Sequence, residues 1–507
     1  MENIKNINRQ KTKLFKKCGE RSITRFTITF SLIVALCLMG LYLFNRAKGD
    51  VSSIVQNVLL VFSMCYLLAA ASCHFLKRRI EKDLLELGHI SGKTRRSSLL
   101  LLIFMIFGNV FTLITFLNLI KEEKTLEYKL SYSTVLVTTF LLLIATLNLF
   151  KEEPSSIQYM GVILLAVISL IQWICVALVG KYSSIKTLNP KLKYVGYLLI
   201  VLSLSGNILS LFAGLVIIAK VRNIGSSRNI MWIDILRRLF RNPTAVAGLL
   251  YVVFLIAISI YSFFIFDYSL AVENDYSNLF QKPSLTYPFG TDEFGRDVFI
   301  RIIFGARISL AVGFVSTMIP IIIGGFLGAI AGYYGRNTDN IIMRLLDVLY
   351  AIPGILLAIA IVAAFGANTF NLIMALSIGG IPGYARTVRA QVMQLADAEF
   401  IEAARACGAS NKRIIFEDII PNSLSPVIVR ATLGIGSAVL STSALSFLGL
   451  GVQPPTPEWG NVLKAGSEYL EFYPYLAIFP GLAIVSVVLA FNFFGDGLRD
   501  ALDPKLK

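Results

Sequence analysis

Histidine is nearly absent: His74 and His89 are the only two among 507 residues. A zinc site or a catalytic histidine cluster cannot be built from them. Charge is also scarce, at 15% of the chain, whereas soluble proteins carry about 25%. With 56% hydrophobic residues and a mean hydropathy of +0.71, this excludes a disordered chain, a collagen and most soluble enzymes. The six cysteines, Cys18, Cys37, Cys65, Cys73, Cys175 and Cys407, are scattered and form no CxxC pair. Cys37, Cys65 and Cys175 sit inside apolar runs and read as small hydrophobes. A phosphate loop is missing too. Gly88-His89-Ile90-Ser91-Gly92-Lys93-Thr94 has three residues between its glycines where the motif needs four, and no strand precedes it. ATP hydrolysis and bound cofactors or metals are therefore not expected in this chain. No repeat relates its two halves.

Long apolar runs are what the chain has instead. A spanning helix takes about 20 apolar residues. Candidates fall at 26–45, 54–76, 98–120, 131–150, 158–180 and 194–219, then at 244–266, 308–333, 345–367, 370–389, 424–450 and 474–494. The expected fold is an all-α polytopic membrane protein of about twelve spans. The first run is too long for a signal-peptide core and reads as an uncleaved span. Lys and Arg total 47 against 31 Asp and Glu, a net charge of +16. In a soluble protein that balance suggests nucleic acid; here it reads as positive-inside charge on cytoplasmic loops. Basic residues crowd the first 24 residues, 77–96 and 220–241, so these segments and both termini are expected in the cytoplasm. Lys181, Lys186, Lys191 and Lys193 are the exception, because twelve spans put them outside. The chain divides into 1–225, an accessory membrane domain of about six helices; 226–243, a linker with a basic amphipathic helix from Trp232 to Arg241; and 244–507.

One loop between two spans carries a specific pattern: Glu402-Ala403-Ala404-Arg405, then Gly408, then Pro421. Two alanines allow close approach of a partner, and glycine permits a left-handed cap. Ser410 or Asn411 can cap the next helix, and Pro421 can open the following span. The product is a short helix–turn–helix projecting from the membrane. Three more segments stand out. The first holds Gly290, Thr291, Asp292, Gly295, Arg296 and Asp297, and continues through Arg301, Gly305 and Arg307. It reads as an external interfacial helix with an Asp297–Arg301 pair. The second runs from Ala444 to Gly460 through a Pro-rich turn, with Trp459 at the membrane interface. The third is a charged C-terminal tail with Asn492, Gly495, Asp496, Arg499, Asp500, Asp503 and Pro504. For all three, architecture is preferred over ligand contact.

Residues from about 230 to 507 resemble the C-type permeases of the dipeptide/oligopeptide/nickel ABC importers, and the loop at Glu402 resembles their EAA loop. The chain departs from the family pattern at Asp418, where an aliphatic residue is usual, and at Tyr287 and Thr442. The resemblance implies a type I importer permease that moves peptides across a bacterial cytoplasmic membrane. It also implies a B-type permease partner, two ATPase subunits that bind ATP and Mg, and an external solute-binding protein. The EAA loop would dock the ATPase. Nickel or another small solute is the alternative cargo, and a twelve-helix secondary transporter is the rival class.

Overall fold

A computed structural model describes residues 18–48, 53–105, 107–122, 124–151, 155–184, 189–222 and 231–503. The described chain is helical, with an isolated bridge between Thr291 and Asp297. It forms two compact units, 1–228 with 282–288, and 229–281 with 289–507.

The first unit contains α1 (Gly19–Lys48), α2 (Ser53–Glu86), α3 (Val110–Ile120), α4 (Leu126–Leu147), α5 (Ser156–Tyr182), α6 (Leu192–Leu202) and α7 (Ile208–Arg222). Four stretches, in α1, α2, α4 and α5, are long and apolar enough to cross a membrane. The other two expected spans, 98–120 and 194–219, are hairpins. Gly108 breaks the first at φ +73°, and Gly206 breaks the second at φ +79°. Arg95, just before the first hairpin, donates to the Leu119 carbonyl at 2.9 Å and pairs with Glu122 at 3.7 Å, so its two ends meet. In the second, the arms touch at Gly196 and Gly214, where an added Cβ would meet the opposing carbonyl. Hydropathy measures apolar length and cannot see that the chain turns back.

The two hairpins reveal a tandem repeat of span, span, hairpin. Each tip is a Gly-Asn pair. Asn109 donates to Ser31 of α1, and Asn207 donates to the Thr134 carbonyl and Thr138 hydroxyl of α4. Glu20, Thr24, Thr27 and Ser31 on α1 have the same spacing as Glu127, Ser131, Thr134 and Thr138 on α4. Both sets are one helical stripe. Glu20 pairs with Lys124 after the first hairpin, and Glu127 with Lys220 at the end of the second. Lys121 donates to the Ser183 carbonyl at 2.5 Å, tying the end of the first hairpin to the end of α5. Lys181, Lys191 and Lys193 thus lie at the Arg95 end of the unit, and their exception to the charge rule disappears; Lys186 lies outside the described residues.

The second unit contains α8 (Met231–Leu239), α9 (Pro243–Ile265), α10 (Val298–Tyr334), α11 (Arg336–Ala351), α12 (Gly354–Phe365), α13 (Thr369–Ala396), α14 (Glu399–Ala406), α15 (Ile420–Phe447), α16 (Trp459–Ser467) and α17 (Tyr475–Leu502). Across both units, the described residues hold eight span-length apolar helices, or nine when α11 and α12, bent by 82°, count as one. α13 lies parallel along α10. A Cβ on Gly324 would stand 2.6 Å from the Ile381 carbonyl, one on Gly332 2.9 Å from that of Arg389, and Gly328 is tighter still against Ala385. Glycine every fourth residue lets these backbones touch. The apolar face of α8, with Ile235, Leu236 and Leu239, is covered by Ala245 and Leu249 of α9 and Phe494 and Ala501 of α17. It therefore seals the unit's base, where an interfacial helix was expected. Residues 226–230 of the linker lie outside the described residues.

Candidate coupling loop and pore

The Glu402 loop folds as its sequence requires. Gly408 takes φ +81° with open space around it, and Ser410 accepts from the Arg413 amide to cap the next turn. Pro421 sits in the first turn of α15. Between them, Ile414–Ile419 is a π-helix, which adds a residue to the turn. Asp418 is half-buried, while Ile419 is fully buried and takes the core position. Ile401, Ile414, Ile415 and Ile419 pack with Ala329 of α10, Val388 and Val392 of α13 and Val427 of α15. Ala404 leans on that cluster. The outer face carries exposed Glu402, Ala403 and Arg405, with Phe400 and Phe416 exposed at 46% and 56%. The Arg405 guanidinium stands 5.4 Å over the Tyr333 ring, and Tyr333 donates to Asn411 at 2.8 Å. One buried face is thus fixed to three helices, and one amphipathic face is open.

Above this loop, α10, α13 and α15 border a cavity of about 400 Å³. Gly379, Gly380, Gly383 and Gly434 keep its wall thin, and Tyr384, Tyr350 and Arg430 line it. Arg430 donates to Thr387 at 3.0 Å and stands 5.2 Å over the Tyr384 ring. It has no carboxylate partner among the described residues. Arg386 and Arg389, by contrast, are held by Asp347 and Asp339 of α11. The sequence expectations include no such cavity. Its signal was the Gly379-Gly380-Ile381-Pro382-Gly383 run, too glycine-rich to be filler.

The segment from Gly290 to Arg307 is not a separate interfacial helix. Residues 290–297 are a buried loop, and Arg301, Gly305 and Arg307 lie in the first turns of α10. Asp297 caps α10 through the Phe299 and Ile300 amides. Asp292 holds Arg296 at 2.9 Å and faces Arg301 at 3.6 Å. Gly295 is required at φ +76° because a Cβ would overlap the Asp275 carbonyl. Thr291 accepts from the Gln281 amide at 2.7 Å, and Gly290 leaves room for the Gln281 carbonyl. Arg307 covers the Phe263 ring at 4.0 Å.

Trp459 is likewise not at an interface. It is 1% exposed, seated on Gly305, and donates to the Ile302 carbonyl at 2.9 Å. Beside it is a group that sequence reading gave no role. Glu458 is fully buried, accepts from Ser309 of α10 at 2.8 Å and Ser443 of α15 at 3.1 Å, and caps α16 through the Gly460 and Asn461 amides. Burial pushes its carboxyl above the ordinary range. The C-terminal motif is helix where a tail was expected. Asn492, Gly495, Asp496, Arg499 and Asp500 belong to α17, where Gly495 faces Leu433 of α15. Arg238 of α8 reaches the Asp503 carbonyl at 3.5 Å, and Pro504 lies outside the described residues.

Comparison with known proteins gives these features a family. Residues 324–507 match the family described as "Binding-protein-dependent transport system inner membrane component", and residues 231–283 match the "N-terminal TM domain of oligopeptide transport permease C". The chain is 49% identical over 276 residues to a dipeptide transport system permease protein DppC of Alkalihalophilus pseudofirmus, covering 54% of this chain and 90% of that one. It is 47% identical, again over 276 residues, to the glutathione transport system permease protein GsiD of Pectobacterium atrosepticum, covering 54% and 92%. The GsiD of Escherichia coli O157:H7 is also 47% identical, covering 54% and 91%. A solved chain of the inward-facing MetNI methionine ABC transporter aligns with 40% of this chain and 96% of its own, at 20% identity and a TM-score of 0.34, too low to support an argument. Neither matched stretch covers any residue before 231. By its second unit, the chain belongs to the OppC/DppC-like permeases, the membrane components of binding-protein-dependent ABC transporters.

Proposed function

We propose that this permease passes small peptides into the cell, as half of a pore completed by a B-type permease. Two ATPase subunits that bind ATP and Mg drive it, and an external solute-binding protein loads it. The carrying observation is the Glu402 loop, one face of which is fixed to α10, α13 and α15 while the other is open. ATPase closure moves that open face, and the helices bordering the pore cavity move with it. The loop's differential contacts with closed and open ATPases bias two pore states. The loops at 77–97 and 390–422 and both termini face the cytoplasm, which the Lys/Arg distribution supports. Residues 1–225 are an accessory domain that regulates the complex.

Peptide is the favoured cargo because the relatives are named for dipeptide and glutathione transport. Arg430 supports the same reading. It is a cation in the cavity with no carboxylate partner among the described residues, suited to the terminal carboxylate of a passing peptide. The complex should be reconstituted in vesicles and dipeptide uptake followed with and without ATP. ATP-dependent uptake is expected, with Arg430→Gln raising KM about tenfold as one charge-assisted contact is lost. Uptake that ignores ATP, or an ATP-dependent complex that rejects every peptide, overturns the reading.

A further inference from the structure

The two repeats of the first unit differ in how well their buried polar groups are satisfied. In the first, Asn109 uses both ends of its amide, donating to Ser31 and accepting from the Thr112 amide. Thr27 bonds Thr115 at 2.8 Å, and Thr24 bonds the Glu20 carbonyl. In the second, Asn207 spends its amide donors on the Thr134 carbonyl and Thr138 hydroxyl, and its oxygen has no partner. Gln172 of α5 donates to Ser210 at 3.2 Å, and its oxygen is also unpartnered. So are the Ser131 hydroxyl and one oxygen of Glu127. All four residues are at least 99% buried.

These groups form one connected cluster. Ser210 lies one turn along α7 from Asn207, its amide on the Asn207 carbonyl. Asn207 binds Thr134, and Thr134 donates to the Ser131 carbonyl at 2.7 Å. Glu127 is one turn below Ser131, and the track from Glu127 to Thr138 is about 16 Å long. The unused atoms are oxygens in every case. An unsatisfied buried polar atom in a native fold calls for an explanation, more so inside a membrane. Oxygen ligands without nitrogen or sulfur suit a hard cation. Divalent ions seek several carboxylates. This cluster has one, Glu127, and Lys220 neutralises it. No group of three His, Cys, Asp or Glu side chains is placed for a metal among the described residues.

We infer that the second repeat binds an alkali cation, Na⁺ or K⁺, through the side-chain oxygens of Ser131, Gln172 and Asn207. The Glu127–Lys220 pair stands at the mouth of the track, and the first repeat is its closed counterpart. This inference stands apart from the transport reading, because it concerns residues 127–220, which neither matched family covers.

The test is equilibrium binding of ²²Na⁺ and ⁸⁶Rb⁺ (as a K⁺ stand-in) to the purified full-length chain in nanodiscs held in choline buffer. Saturable binding of one cation per chain is expected, together with a cation-dependent rise in melting temperature. Gln172→Leu should weaken binding at least about tenfold, as loss of a ligand does. Ser131→Ala, a smaller change, should weaken it too should Gln172→Leu fold poorly. Thr115→Val, in the satisfied first repeat, should leave the isotherm unchanged. No saturable binding of either cation means that water alone satisfies these oxygens, and overturns the proposal. Binding that survives both Gln172→Leu and Ser131→Ala overturns it as well.

Discussion

The two units place their polar groups in opposite ways. In the permease unit, the ion pairs sit at the ends of the helices: Asp292 with Arg296 and Arg301 at one end of α10, Asp339 with Arg389 near the other. Between those ends, α10 meets α13 through glycine and carbonyl contact. In the first unit, polarity runs down the inside of α1 and α4 as a stripe of Ser and Thr, with Asn at each hairpin tip. One unit uses small residues to let helices touch, and the other uses hydrogen bonds to hold hairpins that do not cross. Dense local motifs accompany the first arrangement, and evenly spaced single residues accompany the second.

The sharpest way to break this comparison is an all-or-none one. A cysteine placed at Lys191 should behave like one placed at Ser91. Neither should react with an impermeant thiol reagent in intact cells, because the second hairpin returns to its starting side. A six-span first unit would expose the Lys191 site and leave Ser91 protected.

The next effect is on packing. Gly328→Leu forces a side chain against the Ala385 backbone and should cost about 1–3 kcal/mol of stability, with loss of uptake. Thr134→Val in the first unit removes a hydroxyl that donates to a neighbouring carbonyl and should cost about 1 kcal/mol, leaving uptake measurable. Denaturation in nanodiscs reads both, and equal costs would erase the distinction between the units.

Glu458 gives a smaller, pH-dependent effect. Its carboxyl is raised above the ordinary 4.5 by desolvation, so the folded chain binds that proton more tightly than the unfolded one. The sign follows: this contribution is full below about 4.5 and is lost as pH rises through the folded pKa. Glu458→Gln, which keeps the contacts to Ser309 and Ser443 within reach, should flatten that part of the stability–pH curve. An unchanged slope by thermal melting would show that Glu458 does not titrate in this window.

Much of the permease unit was legible in sequence. Apolar runs gave α9, α10 and α17, and Gly408, Ser410 and Pro421 gave the turn and helix starts of the Glu402 loop because each has one strong local preference. The misreadings have physical causes. Asp297 and Arg301 have helical spacing, which hid that Asp297 also caps α10 and that Asp292, across a glycine turn, faces the same arginine. Trp459 follows prolines as an interfacial residue would, yet Gly305, far away in sequence, opens a slot for it. In the first unit, length and hydropathy could not separate a span from a hairpin. The signal was present in the two Gly-Asn pairs and the matching Glu/Ser/Thr spacing, but it appears only when 19–124 is laid against 126–222.

Coupling between the Glu402 loop and an ATPase is the central claim, and the chain carries its own probe. Cys407 is exposed next to Gly408 on the open face of the loop. Maleimide labelling of Cys407 in inside-out vesicles, with Cys407→Ser as the background control, should be rapid for the permease alone. It should be strongly suppressed when the ATPase subunits are present, and should change again when they are closed by a non-hydrolysable ATP analogue. Labelling that is the same with and without the ATPases would contradict the account.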